Sequence, residues 1–366
     1  MKHVDEYRQP HRLKEQLAIL QRSITRRWVI MDVCGGQTHS LLRNGLEQAL
    51  IDVLDLVHGP GCPVCVTPAD VIDNAIDLAH RPDIILASFG DMLRVPGPRG
   101  SLLQARAAGA NVRTVYSPID GVHLAVQEPT KEVVFLGVGF ETTAPATALA
   151  ILQAQKLGLR NFSILVHHVR VLPAMSALMG SPDCRVEGFL AAGHVCTVSG
   201  FAEYDDFVNR YSVPVVVTGF EPLDLLLGLS SCVGLLETGK CRVVNEYSRS
   251  AKTAGNVVAQ KFVDEVYEVA TVPWRGLGEI PDGGLRLRKA YQQYDARSRF
   301  GLIRAADSRE EECRSGAIMA GQIKPPECPL FGTVCSPDHP VGTPMVSSEG
   351  ACAAYFRYSR DAEKLI

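Results

Sequence analysis

Trp28-Val29-Ile30-Met31-Asp32-Val33-Cys34-Gly35-Gly36-Gln37-Thr38-His39-Ser40 is the stretch from which the fold can be read. Its apolar first half reads as a buried strand, its glycines as a turn, and the Leu41-Leu42-Arg43-Asn44-Gly45-Leu46 that follows as a helix. Strand, turn and helix together are the start of a βα unit. The pattern recurs. Strands are predicted at 53–57, 84–89, 112–116, 133–138, 162–166, 188–192 and 213–217, each at an apolar run and spaced about 25 to 30 residues apart with helical segments between.

Four strands in each half predict an α/β protein with two Rossmann-like parallel-sheet domains, at 28–128 and 129–235, preceded by a helical segment at 1–27. The strand ends of the two halves echo each other: Val33-Cys34-Gly35-Gly36-Gln37-Thr38 against Val138-Gly139-Phe140-Glu141-Thr142-Thr143, and Ser88-Phe89-Gly90-Asp91 against Thr218-Gly219-Phe220-Glu221. A pseudo-twofold pair of domains is therefore expected. Beyond 235 the pattern changes. Cys241–Tyr247 reads as one more strand, 254–270 as an amphipathic helix, and the Gly- and Pro-rich 273–284 as an ordered connection to a smaller C-terminal unit, within 236–366 overall.

Ligands of open parallel sheets bind beyond the carboxyl ends of the strands. Cys34, His39, His58, Cys62, Cys65, Asp91, Glu141, His167, His168, His194, Cys196 and Glu221 all fall at such ends, which predicts one site between the two domains. The loop His58-Gly59-Pro60-Gly61-Cys62-Pro63-Val64-Cys65 adds a specific signal. Two thiols two residues apart can form a disulfide, ligate a metal, or alternate between dithiol and disulfide.

Composition narrows the function. With 46% hydrophobic and 21% charged residues, 366 residues can bury a large core, and disorder is excluded. A net charge of −3 without a basic run argues against nucleic acid. The polar start Met1-Lys2-His3-Val4-Asp5-Glu6 carries no secretory signal and no apolar run reaches a membrane span, so a cytoplasmic protein without membrane partners is expected. In that compartment eleven cysteines point to metal or redox chemistry. Cys313, Cys328, Cys335 and Cys352, with 14, 6 and 16 residues between them in a proline-rich segment, need something to fold around. Their spacing lacks paired zinc knuckles, so a 4Fe-4S cluster is favoured over zinc. Ser347-Ser348-Glu349-Gly350 reads as a helix start that aims Cys352 from the first turn.

Cys34-Gly-Gly-Gln-Thr-His39, Gly59-Pro-Gly-Cys-Pro-Val-Cys65, Gly139-Phe-Glu-Thr-Thr143, Gly193-His194, Phe220-Glu-Pro-Leu-Asp224, and Glu327-Cys-Pro-Leu-Phe331 through Met345-Val-Ser-Ser-Glu-Gly-Ala-Cys352 occur in this order. Together they resemble the HypD family of hydrogenase maturation factors over nearly the whole chain. The resemblance implies two Rossmann-like domains and a C-terminal 4Fe-4S domain. It implies a scaffold and redox protein for assembly of the Fe(CN)2CO group of nickel-iron hydrogenases. The expected partners are a HypC-type small chaperone, a HypE-type cyanide donor and, indirectly, the hydrogenase large subunit. Cys34 would bind iron carrying CN and CO ligands, Cys62 and Cys65 would be the redox pair, and Cys313, Cys328, Cys335 and Cys352 the cluster ligands. His39, Glu141 and His194 are the candidates for hydrogen bonding and proton handling. Some relatives carry further cysteines near the cluster. Ser315 and Thr343 occupy that neighbourhood here, which argues against a continuous thiol relay. The rival reading is a freestanding 4Fe-4S-dependent disulfide reductase, which leaves Cys34-Gly-Gly-Gln-Thr-His39 without a role. A nucleotide-binding enzyme lacks its glycine fingerprint after the first strand.

Overall fold

In the computed structural model, residues 5–303 and 313–358 are described; Met1–Val4, part of the polar start read above, lie outside them. Among the described residues eleven strands follow in chain order: β1 Trp28–Asp32, β2 Leu54–His58, β3 Ile84–Ser88, β4 Val112–Thr114, β5 Glu132–Gly139, β6 Phe162–Val169, β7 Gly188–Ala192, β8 Val215–Thr218, β9 Val243–Asn245, β10 Tyr267–Trp274 and β11 Gly278–Leu287. The strands read from apolar runs all form, β3, β5, β7 and β8 being almost entirely buried, as expected of sheets covered on both faces. Gly35 and Gly36 do not make a turn before the next helix. They are its first two residues, in Gly35–Arg43, with Cys34 as the extended residue preceding it.

The strands assort into a sheet of order β2-β1-β7-β8-β9, parallel throughout, and one of order β10-β11-β6-β5-β3-β4. The expectation that 28–128 and 129–235 each build their own sheet is corrected by this pairing. The chain leaves the first sheet after β2, because the helix Ala69–Ala79 packs on β3 and β6, and it returns only at β7. The parallel strands of both sheets nevertheless share one order, second-first-third-fourth, so the expected likeness of two units holds between sheets rather than between halves of the chain.

The segment 273–284, read as a connection, is instead most of a hairpin. β10 and β11 pair antiparallel, with Gly276 and Gly278 at positive φ in the turn, and β11 joins β6 through Gly284 and Leu285. Residues 236–303 thus complete both sheets, and three of the late cysteines, Cys328, Cys335 and Cys352, belong to a separate small core around Ile318, Met345 and Ala353. The helix Pro10–Ser23 packs on Pro222–Glu237 of the first sheet, burying Leu20. Among the described residues no helix is long and apolar enough to cross a membrane.

Candidate functional site

In the first sheet the strand order reverses between β1 and β7, the place beyond whose carboxyl ends open parallel sheets bind ligands. β1 delivers Cys34, and β7 runs into the helix Gly193–Ser199 with His194 in its first turn. The Cys34 Sγ and His194 Nδ1 lie 3.8 Å apart. Burial, reinforced by the charges of Glu349 and Asp32 against the opposing N–H groups of Gln37 and Gly36, pushes the Cys34 thiol up to about 12. Burial also lowers His194 to about 4. At neutral pH a thiol therefore faces an uncharged imidazole, which can accept the thiol proton when a cation engages the sulfur.

The second centre rests on the first. β2 ends in His58, opposite Asp32 of β1, and the loop that follows folds over the Cys34 turn. Gly59 N–H donates to the Asp32 carbonyl at 2.8 Å, and Gly35 N–H donates to the Gly61 carbonyl at 3.0 Å. A side chain at Gly61 has no room, since its Cβ would stand 2.3 Å from the Cys34 backbone nitrogen. Of the three states open to the thiol pair, the structure holds the disulfide: Cys62 and Cys65 are bonded, with Cα atoms 5.2 Å apart, and both are buried.

Cys313, Cys328, Cys335 and Cys352 line one small cavity, walled otherwise mainly by apolar residues such as Ile318, Leu330, Phe331 and Met345. Cys352 projects from the first turn of the helix Ala351–Tyr358, as its sequence implied. Burial, and then the proximity of the other three sulfurs, raises its thiol well above the ordinary range. Val341 N–H points at Cys335 Sγ at 3.4 Å. Among the described residues no group of three or more His, Cys, Asp or Glu gathers closely enough for a single metal ion. Four thiols around an apolar cavity are nevertheless a donor set that suits a cubane, which takes one thiolate at each of four irons.

Several predicted residues lie elsewhere: His167 and His168 are buried within β6 of the other sheet, with His168 Nε2 and Thr147 Oγ1 2.8 Å apart, and His39 and Glu141 are also set apart. His39 donates from Nδ1 to the Ser348 carbonyl and accepts at Nε2 from the Tyr358 hydroxyl, each at 3.1 Å, so it anchors the C-terminal helix. Glu141 lies two residues beyond β5 of the other sheet, where its Oε1 accepts from Val171 N–H at 2.9 Å and its buried Oε2 has no hydrogen-bond partner among the described residues. Burial raises its carboxyl to about 7.

Two residues went unassigned in the sequence. Glu349 packs on the Cys34 turn so closely that a Cβ at Gly35 would meet its Cβ at 2.5 Å; its carboxyl is raised by burial and by Asp91. The Thr343 hydroxyl donates to the Cys65 carbonyl at 2.5 Å, joining the four-cysteine segment to the disulfide loop. The motif Ser347-Ser348-Glu349-Gly350 contained Glu349, but only the fold brings it 314 positions back to Gly35.

A family model described as "HypD: Hydrogenase formation hypA family" matches residues 10–359. The chain is 45% identical over 370 residues to the hydrogenase maturation factor HypD of Rhodobacter capsulatus, covering 98% of each chain. It is 44% identical over 375 residues to that of Azotobacter vinelandii, covering 100% of this chain and 99% of the relative. Against the Escherichia coli protein of the same description the figures are 43% over 366 residues and 98% of each.

Proposed function

Since the chain belongs to the HypD family of hydrogenase maturation factors, we propose that it is the scaffold and redox protein on which the Fe(CN)2CO group of nickel-iron hydrogenases is assembled. The cargo is an iron atom, held by Cys34 together with a HypC-type small chaperone, and the cyanide comes from a HypE-type donor. The hydrogenase large subunit is the eventual recipient.

The chemistry follows from the side chains. A low-spin iron with diatomic ligands prefers a soft thiolate. Burial keeps Cys34 protonated until that iron arrives, and His194 at 3.8 Å is the neighbouring acceptor through which the displaced proton passes without being retained. Cys62 and Cys65 cycle between disulfide and dithiol, consuming two electrons and two protons on reduction. Cys313, Cys328, Cys335 and Cys352 would hold a 4Fe-4S cluster, which when bound supplies electrons one at a time. Thr343, hydrogen-bonded to the Cys65 carbonyl, keeps that segment against the disulfide loop. Glu141, half-ionised near neutrality, is available to exchange protons on the second sheet.

The observation that supports this reading most is the contact of the two early centres: the disulfide loop lies directly on the Cys34 turn, with Gly61 against the Cys34 nitrogen. Burial of both sulfurs argues against a reductase acting freely on protein disulfides, whose thiols must be reached by a large substrate. The test is to label Cys62 and Cys65 across a series of redox buffers, with iron bound by the chaperone complex measured alongside. The proposal expects the pair to change reactivity with potential and iron binding to need Cys34. A pair that never changes reactivity, or full iron binding by Cys34→Ala, would refute it.

A further inference from the structure

Glu47 belongs to none of the cysteine centres, yet it accepts hydrogen bonds from the segments that carry two of them. It lies in the short helix Leu46–Leu50 and is 6% exposed. Its Oε1 accepts from Lys324 Nζ at 2.8 Å and from the Tyr355 hydroxyl. Both donors come from the cysteine-rich segment, Lys324 four positions before Cys328 and Tyr355 three after Cys352. On the other side, Oε2 accepts from His58 Nε2 at 3.2 Å.

His58 stands at the end of β2, four positions before Cys62, and its Nδ1 donates to Asp32 Oδ2 at 2.5 Å. The second oxygen of Asp32 accepts from Thr38 Oγ1 at 2.6 Å, and that hydroxyl also reaches the Cys34 carbonyl at 3.2 Å. Hydrogen bonds thus run without a break from Lys324 and Tyr355 of the cysteine-rich segment through Glu47, His58, Asp32 and Thr38 to the Cys34 carbonyl, and His58 leads along the chain to Cys62. Burying charged groups is costly unless each is paired, and here each is. Burial opposes charge on both His58 and Glu47, but their mutual attraction, with Asp32 and Lys324, holds His58 above and Glu47 below its ordinary range. A cavity of about 540 Å³, lined by Glu47, Asp55, Arg185, Lys324 and Tyr355, opens beside this junction, so water can enter if its bonds are lost.

We propose that Glu47 is a positioning residue that couples the cysteine-rich segment to the turns bearing Cys34 and Cys62–Cys65, one carboxylate oxygen serving Lys324 and Tyr355 and the other His58. A change among residues 313–358 is then felt at Cys34 without any shared ligand. The coupling goes beyond the functional reading. Its contacts need no bound metal, so the metal-free full-length chain tests it whether or not a cluster or iron is ever shown.

The experiment alkylates the native metal-free protein with N-ethylmaleimide and follows each cysteine by peptide mass spectrometry, with exposed Cys241 as the internal reference. Glu47→Leu should speed labelling of Cys34 roughly tenfold or more, because breaking a buried charged network raises local opening, while Cys241 is unchanged. Tyr355→Phe with Lys324→Met, which removes both donors to Oε1 while leaving an aromatic ring edge-on against His58, should act in the same direction. Combined with Glu47→Leu it should add little, as expected for one coupled unit. Glu47→Gln keeps an acceptor for Lys324 and Tyr355 and can donate to a neutral His58, so it should restore protection to within about twofold. The dithiol–disulfide equilibrium of Cys62 and Cys65, read by the same labelling in thiol buffers, should shift alike in Glu47→Leu and the Lys324/Tyr355 variant. Should Glu47→Leu fail to fold, Tyr355→Phe alone carries the test. Unchanged Cys34 labelling in the Lys324/Tyr355 variants, or strict additivity with Glu47→Leu, overturns the proposal.

Discussion

Gly61→Ala tests the contact on which the site is built. The added Cβ would lie 2.3 Å from the Cys34 nitrogen, 2.4 Å from its Cα and 2.5 Å from the Val33 carbonyl carbon, where ordinary contact begins at 3.4 Å. All three obstacles are backbone, so no side chain can swing away. The disulfide loop and the Cys34 turn must separate by roughly 1 Å, a misplacement that can cost about a hundredfold where reacting groups must be aligned. Overpacking of this kind destabilises by about 1–3 kcal/mol, and rigid backbone on both sides puts Gly61→Ala near the upper end. Urea unfolding of the metal-free chain measures the first effect, and the rate of Cys34 alkylation with iron binding in the chaperone complex measures the second. Gly234→Ala is the control, because nothing lies within 4 Å of its added Cβ in the helix Pro222–Glu237, and a gain of about 0.5–1 kcal/mol is expected there. Unaltered stability and unaltered Cys34 reactivity in Gly61→Ala would refute the reasoning.

Three further outcomes are expected. Glu141 is raised by burial from 4.5 to about 7, so its contribution to stability is complete below pH 4.5 and declines as the pH rises to 7, by roughly 3 kcal/mol in all. Denaturation curves across that window should flatten in Glu141→Gln, and a slope like that of the parent would contradict the assignment. His194→Leu removes the nearest proton acceptor of the Cys34 thiol, so iron binding at neutral pH should slow about tenfold or more and recover at higher pH; an unchanged pH profile tells against that role. Replacing Cys328 or Cys335 by Ala should abolish the charge-transfer absorption of an iron–sulfur cluster while the far-ultraviolet circular dichroism of the two sheets persists, since those sulfurs belong to a separate small core. Retained absorption and iron in either variant would exclude the four-thiolate cluster.

Strands and their ends were legible because Val- and Ile-rich runs that stop at Gly, His or Cys mark the turns of βα units. Periodicity does not say which sheet a strand joins. β3 was read into one sheet with β2, but the helix between them, Ala69–Ala79, packs on β3 and β6, so the chain changes sheets there. Tyr267-Glu268-Val269-Ala270-Thr271-Val272-Pro273-Trp274 alternates as a strand should, yet Gly276, Gly278, Gly283 and Gly284 made the following stretch look like loop. In the site, cysteines at strand ends were conspicuous from sequence. The charges that support them were not, because Glu47 meets His58 across 11 positions and Lys324 across 277, distances over which no local pattern carries.

Infrared spectroscopy tests the central claim most directly, because CN and CO stretches appear where protein is otherwise transparent. The protein is purified anaerobically with the proposed HypC-type chaperone, as parent and as Cys34→Ala. We expect the bands in the parent and their loss in Cys34→Ala, with the visible iron–sulfur absorption of the variant unchanged. The same bands at full intensity in Cys34→Ala would contradict the account.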